Sequence, residues 1–131
     1  MEGEKPLVLI ADDDADIRSI LRVKLEAEGL RVEEAQDGQD AIDKSKREHP
    51  ALIVMDVRMP VMSGTEAVAI IKSDPNLRDI RIVFLSNFGE EDEINAWLDQ
   101  KYAKELGAMD YMKKSEDLPK IVAKIKQLLN A

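Results

Sequence analysis

The sequence predicts an α/β domain built on a five-stranded parallel sheet, strand order 2-1-3-4-5, with helices on both faces. Three observations lead there. Short apolar runs alternate strictly with segments whose apolar residues recur at helical spacing, five of each along the 131 residues. Such alternation marks β–α units joined by right-handed crossovers. The first and third runs are apolar throughout and the fourth is apolar after Arg81, as strands covered on both faces must be, whereas the second and fifth carry charge and suit the sheet edges.

The first strand is Leu7–Ala11, which runs straight into Asp12-Asp13-Asp14. A helical pattern follows from Asp14 to Glu28, with Ile17, Ile20, Leu21 and Leu25 on its apolar side and Gly29 as its stop; Asp14 or Asp16 suits the N-cap. The second strand is Arg31–Ala35, then Asp37-Gly38 turns into a helix over Gln39–Glu48 that ends at His49-Pro50. The third strand, Ala51–Met55, again ends on an acid, Asp56. Met59-Pro60 and Ser63-Gly64 lead into a helix over Thr65–Lys72, and Asp74-Pro75 turns the chain. The fourth strand is Ile80–Leu85, ending at Ser86. A longer helical pattern then places Ile94, Trp97, Leu98, Tyr102 and Leu106 on one side, with Gly107 as its stop. Ala108–Met112 forms the fifth strand, and Leu118–Leu129 closes the chain as a helix bearing Ile121, Val122, Ile125, Leu128 and Leu129.

Composition narrows the function. The length fits one domain over residues 1–131, large enough to bury on the order of two-thirds of its unfolded surface. With no cysteine, disulfide frameworks, Cys-zinc sites, iron–sulfur clusters and thiol catalysis are excluded. The apolar runs are too short to span a bilayer, and the start lacks the pattern of a signal peptide, so a soluble cytoplasmic protein is expected. A net charge of −8 and no block of Lys/Arg longer than two argue against direct nucleic-acid binding.

In the expected sheet, ligands bind beyond the strand C-termini at the switch between strands 1 and 3. Asp12 or Asp13 should there face Asp56, with Ser86 ending strand 4 and Lys113-Lys114 following strand 5. Crowded carboxylates repel one another unless a cation sits among them, and Mg²⁺, a hard oxygen-seeking ion, needs only a few carboxylates plus water. Metal, ammonium, hydroxyl and a spare carboxylate together suit phosphoryl transfer to an aspartate. Singly, each residue is as ordinary as a solvated loop acid, a cap or a surface lysine; their convergence on one edge is the signal.

Four stretches then resemble, in order, the receiver domain of two-component response regulators, a flavodoxin-like (βα)5 fold. They are Leu7-Val8-Leu9-Ile10-Ala11-Asp12-Asp13-Asp14, Leu52-Ile53-Val54-Met55-Asp56-Val57-Arg58-Met59-Pro60 with Ser63-Gly64, Ile82-Val83-Phe84-Leu85-Ser86, and Gly107-Ala108-Met109-Asp110-Tyr111-Met112-Lys113-Lys114. The resemblance runs from Pro6 to Leu129, and the length leaves no room for an output domain; the chain acts alone, like a chemotaxis regulator, or is a piece of a longer one. It implies that Asp56 accepts a phosphoryl group from a histidine kinase or phosphotransfer protein. Asp13, Asp56 and the backbone carbonyl of Arg58 would ligate Mg²⁺, with Asp12 acting through water. Lys114 would pair with phosphoryl oxygens, Ser86 would move toward them, and Tyr111 would turn inward. That reshapes the surface of the fourth helix, fifth strand and fifth helix for a downstream protein, and allows a phosphorylation-dependent dimer.

The chain departs from the family pattern in three places. Ser115 stands where a proline usually follows the lysine in a cis peptide, and a cis bond before Ser costs about 2.5–4 kcal/mol. Asn87 replaces a small residue after the switch hydroxyl, and the segment from Ser86 to Lys114 is longer than usual. Trp97, in that longer segment, reads as sheet packing with Ile94 and Leu98 or as a partner anchor; His49, Met59 and Met62 read as structural.

Rival readings fit less well. Asp12-Asp13-Asp14 contains the Asp-x-Asp of haloacid dehalogenase-type phosphatases, but such enzymes need more chain for a cap. Asp12, Asp14 and Asp16 begin an EF-hand spacing that fails at Ile17 and Val23. A phosphorylation-independent scaffold of the same fold is the remaining alternative. The chain is read as a signalling switch rather than an enzyme.

Overall fold

The computed structural model describes residues 5–86, 101 and 104–130. Five strands, β1 (Leu7–Ala11), β2 (Arg31–Ala35), β3 (Leu52–Asp56), β4 (Arg81–Ser86) and β5 (Asp110–Lys113), form one parallel sheet in the order β2-β1-β3-β4-β5. The helices are α1 (Ala15–Ala27), α2 (Gly38–Glu48), α3 (Gly64–Ser73), α4, described at residues 104–106, and α5 (Leu118–Leu129). The expected fold class and strand order are thus the ones observed.

Local chemistry sets the helix ends. The Asp14 carboxylate accepts the Asp16 N–H at 2.9 Å, so Asp14 rather than Asp16 caps α1. At the other end Gly29 N–H donates to Glu26 O and Leu30 N–H to Leu25 O, a Schellman closure that needs the Gly29 φ of 84°. Asp37 caps α2 and Ser63 caps α3 in the same manner. α2 stops at His49, in the left-handed region with φ 46°, just before Pro50.

Alternate strand residues feed two cores, one on each face of the sheet. Leu9, Ile53, Met55, Ile82 and Phe84 pack with Ile42 of α2 and Val68 and Ile71 of α3. Val8, Ile10, Val54, Val83 and Leu85 pack with Leu21 and Leu25 of α1 and Ile121 and Ile125 of α5. β1 and β3 are buried along their whole length, whereas β2, at the edge, buries only Val32 and Ala35.

Two sequence expectations need correction. Ile20, placed on the buried side of α1, is 50% exposed. The buried row is Leu21 and Leu25 with Ile17 partly covered, at steps of four, and Ile20 lies about 100° around the helix from Leu21. The third, fourth and fifth strands also begin and end later than their apolar runs, so Asp56 and Ser86 are the last residues of β3 and β4. The backbone ladder continues through them, with Asp56 in register with Leu85 and Ser86 with Lys113, because ladder hydrogen bonds are indifferent to side-chain polarity. No cis peptide bond occurs among the described residues, so Ser115 follows Lys114 through a trans bond. Asn87, Ile94, Trp97, Leu98 and Tyr102 lie outside the described residues.

Leu25, fully buried between α1 and the sheet, should be costly to truncate. Leu25→Ala is expected to lose about 2–5 kcal/mol in urea unfolding, whereas the same change at exposed Val23 should lose under about 0.5 kcal/mol.

Candidate functional site

Parallel strands deliver their C-terminal residues to one edge, and the polar residues gather there. Asp12, Asp13 and Asp56 each offer a carboxylate oxygen, all within 4.8 Å of one another. Both Asp12 and Asp13 therefore face Asp56. Asp12 and Asp56 are buried at 1% and 6% exposure, and Asp13 is open to solvent.

Lys114 is the local counter-charge. Its backbone N–H donates to Ser86 O at 2.8 Å, which extends the β4–β5 pairing one residue beyond the sheet. From there its Nζ reaches Asp12 Oδ2 at 2.7 Å and Asp56 Oδ2 at 3.3 Å. Burial would lower the Lys114 pKa, but Asp12 and Asp56 outweigh it and hold the ammonium above its usual value. Asp56 behaves in the opposite way. Burial first, and then the charge of Asp12, push its pKa up to about 6, against the smaller pull of Lys114. One ammonium does not neutralise three carboxylates.

Geometry supports a cation here. Although Asp12 Oδ2 lies close to the ammonium, it is buried and makes no aligned hydrogen bond. Its partner Oδ1 is already taken by the Asp14 N–H at 2.9 Å. Three carboxylates that share one ammonium are an oxygen donor set that suits a hard divalent ion. Asp14 does not join the cluster, because its carboxylate is spent on the α1 cap.

Ser86 is buried at the end of β4, one residue past the Leu85 that pairs with Asp56. Arg58 is exposed in the β3–α3 connection, two residues after Asp56. The Tyr111 ring is buried, 7% exposed, in the core that β4 shares with α3, and Tyr111 is in register with Phe84.

Two features of the site escape a reading of motifs. At Gly64 a Cβ would lie 1.9 Å from the backbone oxygen of Asp56, so only glycine lets α3 start against the end of β3. Ser63-Gly64 was legible as a helix start, not as a close approach. The guanidinium of Arg18 donates to the backbone oxygen of Asp12 at 2.6 Å, and no sequence pattern announces that contact.

The response regulator receiver domain family matches residues 8–126 of the sequence, and the chain belongs to that family. It is 35% identical over 124 residues to the transcriptional regulatory protein PrrA of Mycobacterium tuberculosis, covering 95% of this chain and 50% of that protein. It is 32% identical over 122 residues to the phosphate regulon transcriptional regulatory protein PhoB of Klebsiella pneumoniae, covering 93% of this chain and 51% of that one. The chain thus spans about half the length of these curated relatives. Among solved structures, the chemotaxis response regulator CheY4 of Vibrio cholerae superposes with a TM-score of 0.81 at 27% identity, covering 96% of this chain and 99% of that one. No helix among the described residues is long and apolar enough to cross a membrane.

The raised Asp56 pKa has a sign for stability. Between the ordinary carboxylate value near 4 and about 6 the folded chain holds more protons than the unfolded one, so Asp56 makes stability fall as pH rises through that window. Without divalent cations, Asp56→Asn is therefore expected to be the more stable protein at pH 7.5, by on the order of 2 kcal/mol, with the advantage shrinking toward pH 4. Urea midpoints of both proteins at the two pH values decide it; equal midpoints at pH 7.5 would refute the charge-crowding account.

Proposed function

We propose that this receiver domain is a magnesium-dependent phospho-accepting switch whose acceptor is Asp56. The observation that carries this reading is the position of Asp56, buried at the sheet edge and within reach of Asp12, Asp13 and Lys114 at once. A carboxylate oxygen of Asp56 attacks the phosphorus of a phosphohistidine on a histidine kinase or phosphotransfer protein. The new O–P bond forms as the P–N bond breaks, and the electron pair returns to the imidazole, which takes up a proton. Lys114 pairs with the equatorial oxygens of the transferring group, and Ser86 donates its hydroxyl to one of them.

Asp12, Asp13 and Asp56, with the carbonyl of Arg58, are the residues that would hold Mg²⁺, Asp12 through water. The ion supplies charge neutralisation for the incoming phosphoryl group. Asp12 also keeps Lys114 at the edge through their ion pair. Movement of Ser86 toward the phosphoryl group, coupled to the inward Tyr111 ring, reshapes the surface of α4, β5 and α5 for a downstream protein or a second copy. Because the donor brings the phosphoryl group, the domain is a switch rather than an enzyme, and it works in the cytoplasm, where kinase domains reside.

Intact mass after incubation with acetyl phosphate tests the reading. The native chain is expected to gain one phosphoryl group in Mg²⁺ and none in excess chelator, and Asp56→Asn to gain none in either. No gain with Mg²⁺ would favour a phosphorylation-independent scaffold. Lys114→Ala is expected to retain Mg²⁺ binding yet lose the phosphorylation-dependent change in partner binding; normal switching would remove its assigned role.

A further inference from the structure

Asp12 is pinned at every polar atom of its backbone and at one carboxylate oxygen. Its N–H donates to Ala35 O at 3.0 Å, and its Oδ1 accepts the Asp14 N–H at 2.9 Å. Its backbone oxygen accepts Arg18 Nη1 at 2.6 Å. Arg18 is itself held, because its Nε donates to Glu34 Oε1 at 3.0 Å, and its side chain is 17% exposed. The other oxygen of Glu34 takes Arg22 Nη1 at 2.5 Å, and Arg22 Nη2 donates to Val32 O at 3.0 Å. A planar guanidinium can bind two acceptors at a fixed angle, so Arg18 ties the edge strand β2 to the turn that carries Asp12 and Asp13.

We propose that Arg18, oriented by Glu34, is a positioning residue for the metal-binding turn: it fixes the Asp12 backbone so that the Asp12 and Asp13 carboxylates are already placed for a divalent cation. The proposal rests on the magnesium reading above and adds residues that touch neither the ion nor the phosphoryl group. Repulsion among the three carboxylates pushes the β1–α1 turn away from β3, and a hydrogen bond to the Asp12 carbonyl opposes that motion without adding a ligand. Partners that orient metal ligands commonly matter for affinity as well as geometry. Glu34 stays charged in this role: burial alone would raise its pKa, but the hydrogen bonds from Arg22 and Arg18 hold it below the usual carboxylate range.

Arg22 supplies the control, since it shares Glu34 and does not touch Asp12. Mg²⁺ affinity by titration calorimetry, paired with urea midpoints, separates positioning from simple support. Arg18→Ala is expected to weaken Mg²⁺ binding about tenfold, while Arg22→Ala stays within roughly twofold of native despite a similar fall in midpoint. Arg18→Met, which keeps the aliphatic stem and removes the donors, is expected to match Arg18→Ala and serves if the alanine variant does not fold. Native affinity in the Arg18 variants, or an equal loss in Arg22→Ala, would overturn the proposal and leave the magnesium reading intact. Failure of the native chain to bind Mg²⁺ would overturn both.

Discussion

Charge crowding at one sheet edge is the constraint around which this molecule is arranged. Asp12, Asp13 and Asp56 converge within a few ångströms, two of them buried, and Lys114 is the ammonium between Asp12 and Asp56. An arrangement that stabilised only the fold would not keep so many acids together, since burying a carboxylate without full compensation costs free energy. The raised pKa of Asp56 is the signature of that cost. Crowded carboxylates of this kind respond to any cation placed among them.

The rest of the structure keeps the crowded residues from relaxing apart. β1 and β3 are adjacent, buried along their length and in register from Val8 with Leu52 to Ala11 with Met55, so the two acidic ends cannot slide. Gly64 lets α3 begin directly against the backbone of Asp56. Lys114 is set by the last rung between β4 and β5, the N–H to Ser86 O. These three constraints are all backbone contacts, which leave the side chains at the edge uncommitted to the fold.

Much of this was legible in the chain. Runs such as Ala51–Met55 read as buried strands once they alternate with helices, and that alternation orders them into one sheet whose C-terminal edge collects Asp12, Asp13, Asp56, Ser86 and Lys114. Membership of the receiver family follows the same residues. Less legible were features that depend on rotation and packing. Ile20 looks as apolar as Leu21 in sequence, yet one helical step turns it to solvent. The sequence offered Asp14 and Asp16 alike as the cap of α1, and only the structure gives that place to Asp14. Arg18 and Glu34 are ordinary charges 16 residues apart until β2 lies beside β1.

The sequence by itself determined the fold class, the strand order and which residues meet at the edge, because hydrophobic periodicity and the handedness of β–α–β crossovers leave few alternatives. Tertiary structure alone decided how those residues are shared: Lys114 between Asp12 and Asp56, Asp12 Oδ1 with a backbone N–H, and Arg18 with the Asp12 carbonyl. The reason is physical. Periodicity is a property of neighbours along the chain, whereas the partition of hydrogen bonds and charge depends on distances of a few ångströms between segments that only packing brings together.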